Sequence, residues 1–318
     1  MSKFSLAEQT NGIMAYSSEQ QDAFWAKVMS KKVGIRISTG FPELDKALGG
    51  GFSSGLHILI GSPGAGKTSY ALQIADNMAR RGQPVMFVSA EMRADDIKAK
   101  SYARHSLDMG QPMDANEILT LGERKDGAAL VKRLRELYQA VGDNIVIIPR
   151  EKIDTPEAIE HIVDEYYEAT GMSPVLYIDY LQQVAAKFPS GSDKQAVDTV
   201  LAKIGDLGAK YNMTIILISS IGRSSYDKPL TLAACKDSGT IEYAADTIMA
   251  LDYTDRAKGP DFCARHPNLP RKVTLKLLKN RFGCLGASVD LKFDAKYNIF
   301  TEIPKDGMNT VDTEETTY

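Results

Sequence analysis

Cysteine is scarce in this chain, with three in 318 residues at Cys235, Cys263 and Cys284. An odd number of widely spaced thiols excludes a disulfide framework and suits a reducing compartment. Cys263 and His266 are near neighbours, but no second Cys/His pair stands where a zinc site would need one. Charge of one sign is also lacking, because 38 Lys and Arg face 41 Asp and Glu, for a net charge of −3. Such a chain has no overall attraction for a polyanion, so any contact with nucleic acid must come from a local basic patch. No run approaches the ~20 apolar residues of a membrane span, and Met1 to Gly12 is too polar for a secretory signal. The expectation is a soluble, intracellular protein without a membrane partner.

What is present is an ordinary globular composition, 43% hydrophobic and 25% charged, long enough for one large α/β domain. After loose residues up to Tyr16, Ser17 to Lys32 reads as a helix capped by Ser17 or Ser18. Phe24, Trp25, Val28 and Met29 fall on one side of it, and they would need cover from the chain itself or from a neighbour. From Gly34 short apolar runs alternate with amphipathic segments, the pattern of βα units. Strands are expected at 57–60, 85–89, 145–148, 175–179, 215–219 and 247–251, and helices at 67–80, 94–105, 127–141, 155–169 and 194–211. Several strands are continuous apolar runs, as expected when helices cover both sheet faces. Past Arg271, antiparallel strands at 272–279, 287–293 and 298–302 finish the sheet. The division is an arm at 1–36, a core at 37–303 and a disordered, rather acidic tail at 304–318.

The segment Gly61, Ser62, Pro63, Gly64, Ala65, Gly66, Lys67, Thr68, Ser69 fits G-x-x-x-x-G-K-[ST] directly after the strand HILI and before an amphipathic helix. Its glycines let backbone N–H groups turn toward phosphate oxygens, and the helix N-terminus adds its dipole. In that reading Lys67 reaches the β and γ phosphates of ATP, and Thr68 places a hydroxyl on Mg²⁺. Asp179, ending the apolar run VLYID, is the carboxylate that holds the metal through water, and Glu91, just after VMFVS, is the one that orients or deprotonates the attacking water.

Taken in order, these motifs resemble the ATPase domain of DnaB-type hexameric replicative helicases, within the RecA-like P-loop superfamily. The likeness rests on ISTGFPELDKALGGGFSSGLHILIGSPGAGKTS, FVSAEM, YIDYLQ, KDSGTIEYAADTIMAL and LLKNRFGCLGASVDLKF, and runs from about Ile37 to Glu302. It implies a RecA-like α/β fold, mostly parallel, and a ring whose ATP sites lie between subunits. It makes Lys279 and Arg281 the lysine and arginine finger offered to the neighbouring subunit's nucleotide. It also implies a single-stranded DNA contact through Arg223, Lys228, Lys236, Asp237 and Gly239, in a segment that resembles a mobile central-channel loop.

Two departures stand out. After the serine of ILISS the family usually carries a glutamine that senses the γ-phosphate, whereas this chain has Ser220. An amino-terminal helical domain that contacts primase in cellular members is not seen ahead of the core. The expectation is a minimal phage- or plasmid-like version, with the Ser17 to Lys32 helix as subunit-docking linker. The implied activity is an ATP-driven helicase or translocase in DNA replication, with a primase or helicase loader as possible partner, in the cytoplasm of a bacterial cell or phage-infected host. A RecA/RadA-like recombination ATPase and an ATP-dependent loader or scaffold that unwinds nothing are the alternatives.

Overall fold

Strand β1 (Gly55–Gly61) is buried along almost its whole length because it lies in mid-sheet with helices packed on both faces. The computed structural model describes residues 17–29, 35–153, 156–187, 191–222, 226, 228–234, 238–255, 259–266, 269–283 and 286–304. The remaining strands are β2 (Val85–Ser89), β3 (Ile145–Pro149), β4 (Val175–Asp179), β5 (Thr214–Ile218), β6 (Thr247–Tyr253), β7 (Arg271–Asn280), β8 (Ser288–Asp294) and β9 (Ile299–Glu302). They form one nine-stranded sheet in the order β3-β2-β4-β5-β1-β6-β7-β8-β9. The first six are parallel, and the last three run antiparallel to their neighbours.

Side-chain alternation along the strands divides the core into two layers. Leu56, Ile58 and Ile60 of β1 point to a layer with Val197, Leu201 and Ile204 of the helix Asp193–Tyr211. Leu59 points to the other layer, with Tyr70, Leu72 and Met78 of the helix Lys67–Arg80. This second helix is held to the helix Ala94–Ser106 by a buried ion pair, Arg104 to Asp76 at 2.5 Å, with the Ser101 hydroxyl donating to the same carboxylate oxygen at 2.5 Å. Arg104 also donates to the carbonyl of Asn298 at 2.5 Å, so a single guanidinium ties both helices to the β8–β9 turn. Losing either partner would leave the other charge buried and uncompensated.

The expected strands and long helices of the core are all present, with ends displaced by no more than two residues. Short helices at Pro42–Ala47, Ala115–Leu119, Leu181–Ala185, Ser238–Ala244 and Pro260–Arg265 escaped the sequence reading, since fewer than two turns display no usable period. The amino-terminal helix spans Ser17–Met29, and Phe24, Trp25 and Met29 stay 50, 58 and 80% exposed, so the chain's own domain does not cover them. No helix among the described residues is long and apolar enough to cross a membrane.

Candidate functional site

Strands β1, β2 and β4 end at one edge of the sheet, and their parallel register sets the site. Ser89 lies opposite Asp179, and the Ala90 N–H donates to the Asp179 carbonyl at 2.7 Å, which fixes the loop carrying Glu91 beside the end of β4. The Ser89 hydroxyl donates to the Met92 carbonyl at 2.6 Å and closes that turn. The carboxyl edge of parallel strands is where an α/β sheet presents a ligand crevice.

The loop after β1 is clasped from the antiparallel side of the sheet. At Gly61 a Cβ would stand 2.4 Å from the Leu251 carbonyl, and at Gly66, with φ of 94°, it would stand 2.7 Å from a ring carbon of Phe293. Only glycine permits that approach and that left-handed turn. The Ser62 N–H donates to Leu251 (3.1 Å) and its hydroxyl to Asp252 (2.6 Å). The Tyr253 hydroxyl donates to the Pro63 carbonyl at 3.2 Å, and Arg271 to the Gly64 carbonyl at 2.5 Å.

A cavity of about 590 Å³ opens on this loop, and Gly61, Pro63, Gly64, Gly66, Lys67, Thr68, Glu91 and Asp179 all line it. Three residues assigned to it from the motif do not. Ser62 and Ala65 are buried behind the loop, and the Ser69 hydroxyl turns away to Asn298 at 3.0 Å. The reason is that a phosphate loop needs backbone N–H groups on its inner side, while its side chains fasten the outer side to the fold.

Lys67 donates to the carbonyls of Gly61 (3.0 Å) and Ser62 (3.4 Å). Burial lowers its basicity, opposed by the charges of Asp179 and Glu91. Asp179 is 1% exposed, and burial pushes its carboxyl up to about 6. The Thr68 hydroxyl beside it favours the ionised form and Glu91 opposes it, yet neither Asp179 oxygen has a partner in hydrogen-bond geometry. Buried acceptors without donors are costly, and on a cavity wall beside a threonine hydroxyl they fit a hydrated divalent cation. Among the described residues no group of three or more His, Cys, Asp or Glu is gathered to hold a metal. Thr68 and Asp179 are the residues that would hold such an ion.

The structure adds cations that the sequence reading missed. Lys100 lines the cavity from the helix after Glu91, donating to the Asn298 side chain at 3.0 Å and held less basic by burial. Its spacing of four from Arg104, with Ile97 on the same face, was the available signal. Arg271 is the second, and nothing in the sequence marks its approach to the loop. Ser220 lines the cavity too, and its N–H donates to the Gln182 side-chain oxygen at 3.1 Å while the Gln182 amide donates to the Ser219 hydroxyl at 2.9 Å.

Lys279 and Arg281 are not brought to this cavity. They sit beside Asp246, which pairs with Leu56 at the start of β1, roughly 17 Å from Gly61 at five residues of about 3.3 Å each. Of the residues assigned to DNA, Lys228 is exposed, and Gly239 lies in the helix Ser238–Ala244 and not in a loop, since the chain there already forms helical hydrogen bonds. Arg223, Lys236 and Asp237 lie outside the described residues.

Comparison with known proteins agrees with this architecture. The sequence profile described as DnaB-like helicase C terminal domain matches residues 36–302. A probable replicative DNA helicase of Trieres chinensis is 26% identical over 281 residues, covering 85% of this chain and 58% of its own length. The chain spans about three-fifths of the length of the curated relatives it matches first. Among solved structures, the ATPase domain of G40P superposes with a TM-score of 0.69 at 20% identity, over 91% of this chain and 100% of that one. A DnaB-like replicative helicase, described with its interactions with primase, gives 0.71 at 20% identity, over 92% of this chain and 68% of that one. With the RecA-like sheet and the profile match across nearly the whole core, the chain belongs to the DnaB-like helicase C-terminal domain family.

Proposed function

We propose that this chain is the ATP-hydrolysing motor of a ring-forming DNA helicase that moves along single-stranded DNA during replication. The observation that carries the reading is the convergence of Lys67, Thr68, Asp179 and Glu91 on one cavity while Lys279 and Arg281 stand at the opposite end of β1. The first four suffice to bind a nucleoside triphosphate and direct water at it. The last two can serve a nucleotide only in another subunit, which favours a head-to-tail ring over an isolated monomer.

In this mechanism the backbone N–H groups of the Gly61 to Thr68 loop and the Lys67 ammonium hold the β and γ phosphates of ATP. Thr68 and, through water, Asp179 would hold a magnesium ion, which would supply positive charge beside those phosphates. Glu91, exposed at the rim, accepts a hydrogen bond from the attacking water and turns its lone pair toward phosphorus. Arg281 and Lys279 of the adjoining subunit offset the charge that grows on the transferring group, a contribution worth roughly 10³ to 10⁵ in rate for an arginine finger. Residues 37–303 form the motor unit. Arg223, Lys228, Lys236, Asp237 and Gly239 contact single-stranded DNA, the ring is a hexamer, and a primase or loader docks on it in the cytoplasm of a bacterial cell or infected host.

The test is ATPase rate against single-stranded DNA at fixed low salt, with the particle mass measured in ATP and Mg²⁺. Stimulation by DNA and a hexamer-sized particle are expected, with turnover lost in Glu91→Gln. A DNA-indifferent rate from a monomer or dimer would overturn the motor reading in favour of an ATP-dependent scaffold.

A further inference from the structure

Arg281 follows β7, on a side chain that flexes easily, yet it is held from three sides. Its Nη1 donates to Oδ1 of Asp246 at 2.9 Å, its Nη2 faces the Tyr243 carbonyl at 3.5 Å, and its own N–H donates to the Asp246 carbonyl at 2.9 Å. Lys279 beside it donates to the Glu242 carbonyl at 2.5 Å. Asp246 itself is immobilised. Its Oδ2 accepts from the Leu56 N–H at 2.9 Å, its N–H donates to the Leu56 carbonyl at 2.7 Å, and Gly55 leaves it room, since a Cβ there would stand 2.3 Å from Oδ2.

We propose that Asp246 is the positioning residue for Arg281 at the adjoining subunit's nucleotide, an inference that rests on the trans-acting reading of Arg281 given above. One carboxylate oxygen is fastened to the first residues of β1 and the other grips one edge of the guanidinium. The remaining N–H donors of its planar fork are left for a phosphate. The Arg281 side chain is 52% exposed against 15% for Asp246, so the pair contributes little to stability while fixing where the cation points. Tyr243, whose carbonyl faces Arg281, and Phe282, next to it in the chain, are 82 and 56% exposed and offer apolar surface for another subunit to cover.

The experiment pairs variants in mixed assemblies. Asp246→Asn keeps one acceptor for two donors and removes the charge. It should lower kcat roughly ten- to a hundredfold while KM for ATP and binding of a fluorescent ATP analogue stay within about twofold of wild type. Mixed with an equal amount of Lys67→Ala, which lacks a working phosphate loop but has an intact Asp246 and Arg281, it should recover to about a quarter of the wild-type rate. Half the subunits then own an intact loop, and half of those face an intact finger. Arg281→Ala mixed in the same way is the control. If it recovers and Asp246→Asn does not, or if Asp246→Asn turns over at the full rate, the positioning role is overturned. If Arg281→Ala itself does not recover, the trans-acting reading falls and this inference falls with it. Should the asparagine variant fail to assemble, Asp246→Glu, with two oxygens set one methylene further out, is judged by the same criteria.

Discussion

In ligand-free protein, Asp179→Asn should destroy turnover and yet make the fold more stable. Burial raises the Asp179 carboxyl from 3.8 to about 6. At 1.36 kcal/mol per pKa unit, keeping this carboxylate ionised at neutral pH costs the native state about 3 kcal/mol. Because the folded value lies above the unfolded one, the native state holds the proton more tightly. The cost is thus absent below about pH 4, grows as pH rises toward 6, and stays constant above. An asparagine in the same place remains a buried polar group, with a penalty of about 1 kcal/mol. The net gain is then about 2 kcal/mol at pH 8, or roughly 4–8 °C in Tm for a domain of this size.

Thermal melts of both proteins in chelator at pH 8 and pH 4.5 measure it directly. The asparagine variant should melt higher at pH 8, with the gap closing at pH 4.5. Adding ATP and Mg²⁺ at pH 8 should raise wild type far more than the variant, by mass action. The reasoning is refuted if the variant is no more stable at pH 8, or if its advantage is undiminished at pH 4.5.

Gly66→Ala should cost about 2–4 kcal/mol in urea unfolding, from a left-handed φ and contact with the rings of Phe293 and Phe300, whereas Gly64→Ala, also at a left-handed φ but meeting the Tyr253 hydroxyl and, at 4.0 Å, the Arg271 guanidinium, should cost less. His57 is buried and held down to about 4 by that burial, so stability falls as pH drops from 6.5 toward 4, by up to about 3 kcal/mol. His57→Phe should flatten that part of the pH profile of chemical denaturation, and an unchanged slope would sink the assignment. Gln182→Ala releases the Ser219 hydroxyl and the Ser220 N–H, and steady-state kinetics should show kcat falling more than KM rises, since Ser220 borders the cavity while the phosphate loop is untouched.

The parallel half of the sheet was readable because its strands are uninterrupted apolar runs such as VMFVS and VLYID, which only a doubly covered sheet accommodates. The motif residues were readable for a different reason: glycine at Gly61 and Gly66 answers to local backbone geometry, which sequence reports directly. What stayed hidden depends on contacts far apart in the chain. Arg271 meets Gly64 across 207 positions and Arg104 meets Asn298 across 194, and neither pairing leaves a periodic trace. That the side chains of Ser62, Ala65 and Ser69 turn away from the cavity was also hidden, because a motif names residues without saying which way they face.

Strand β7 reaches from one functional end of the molecule to the other. Its first residue, Arg271, grips the phosphate loop at Gly64, and its last, Asn280, adjoins Arg281 beside Asp246 at the far end of β1. Ten residues of extended chain make a strut of about 30 Å, laddered to β8 over its first part and to β6 along its later part. It carries one irregularity, where its register slips opposite Ile248 and Met249 just before Lys279. A shift of the phosphate loop that moved Arg271 would thus load the same strand that ends beside Arg281. In a closed ring, such rods laid end to end would make the filling of each site felt at the next, with the count of residues in β7 setting the gauge between them.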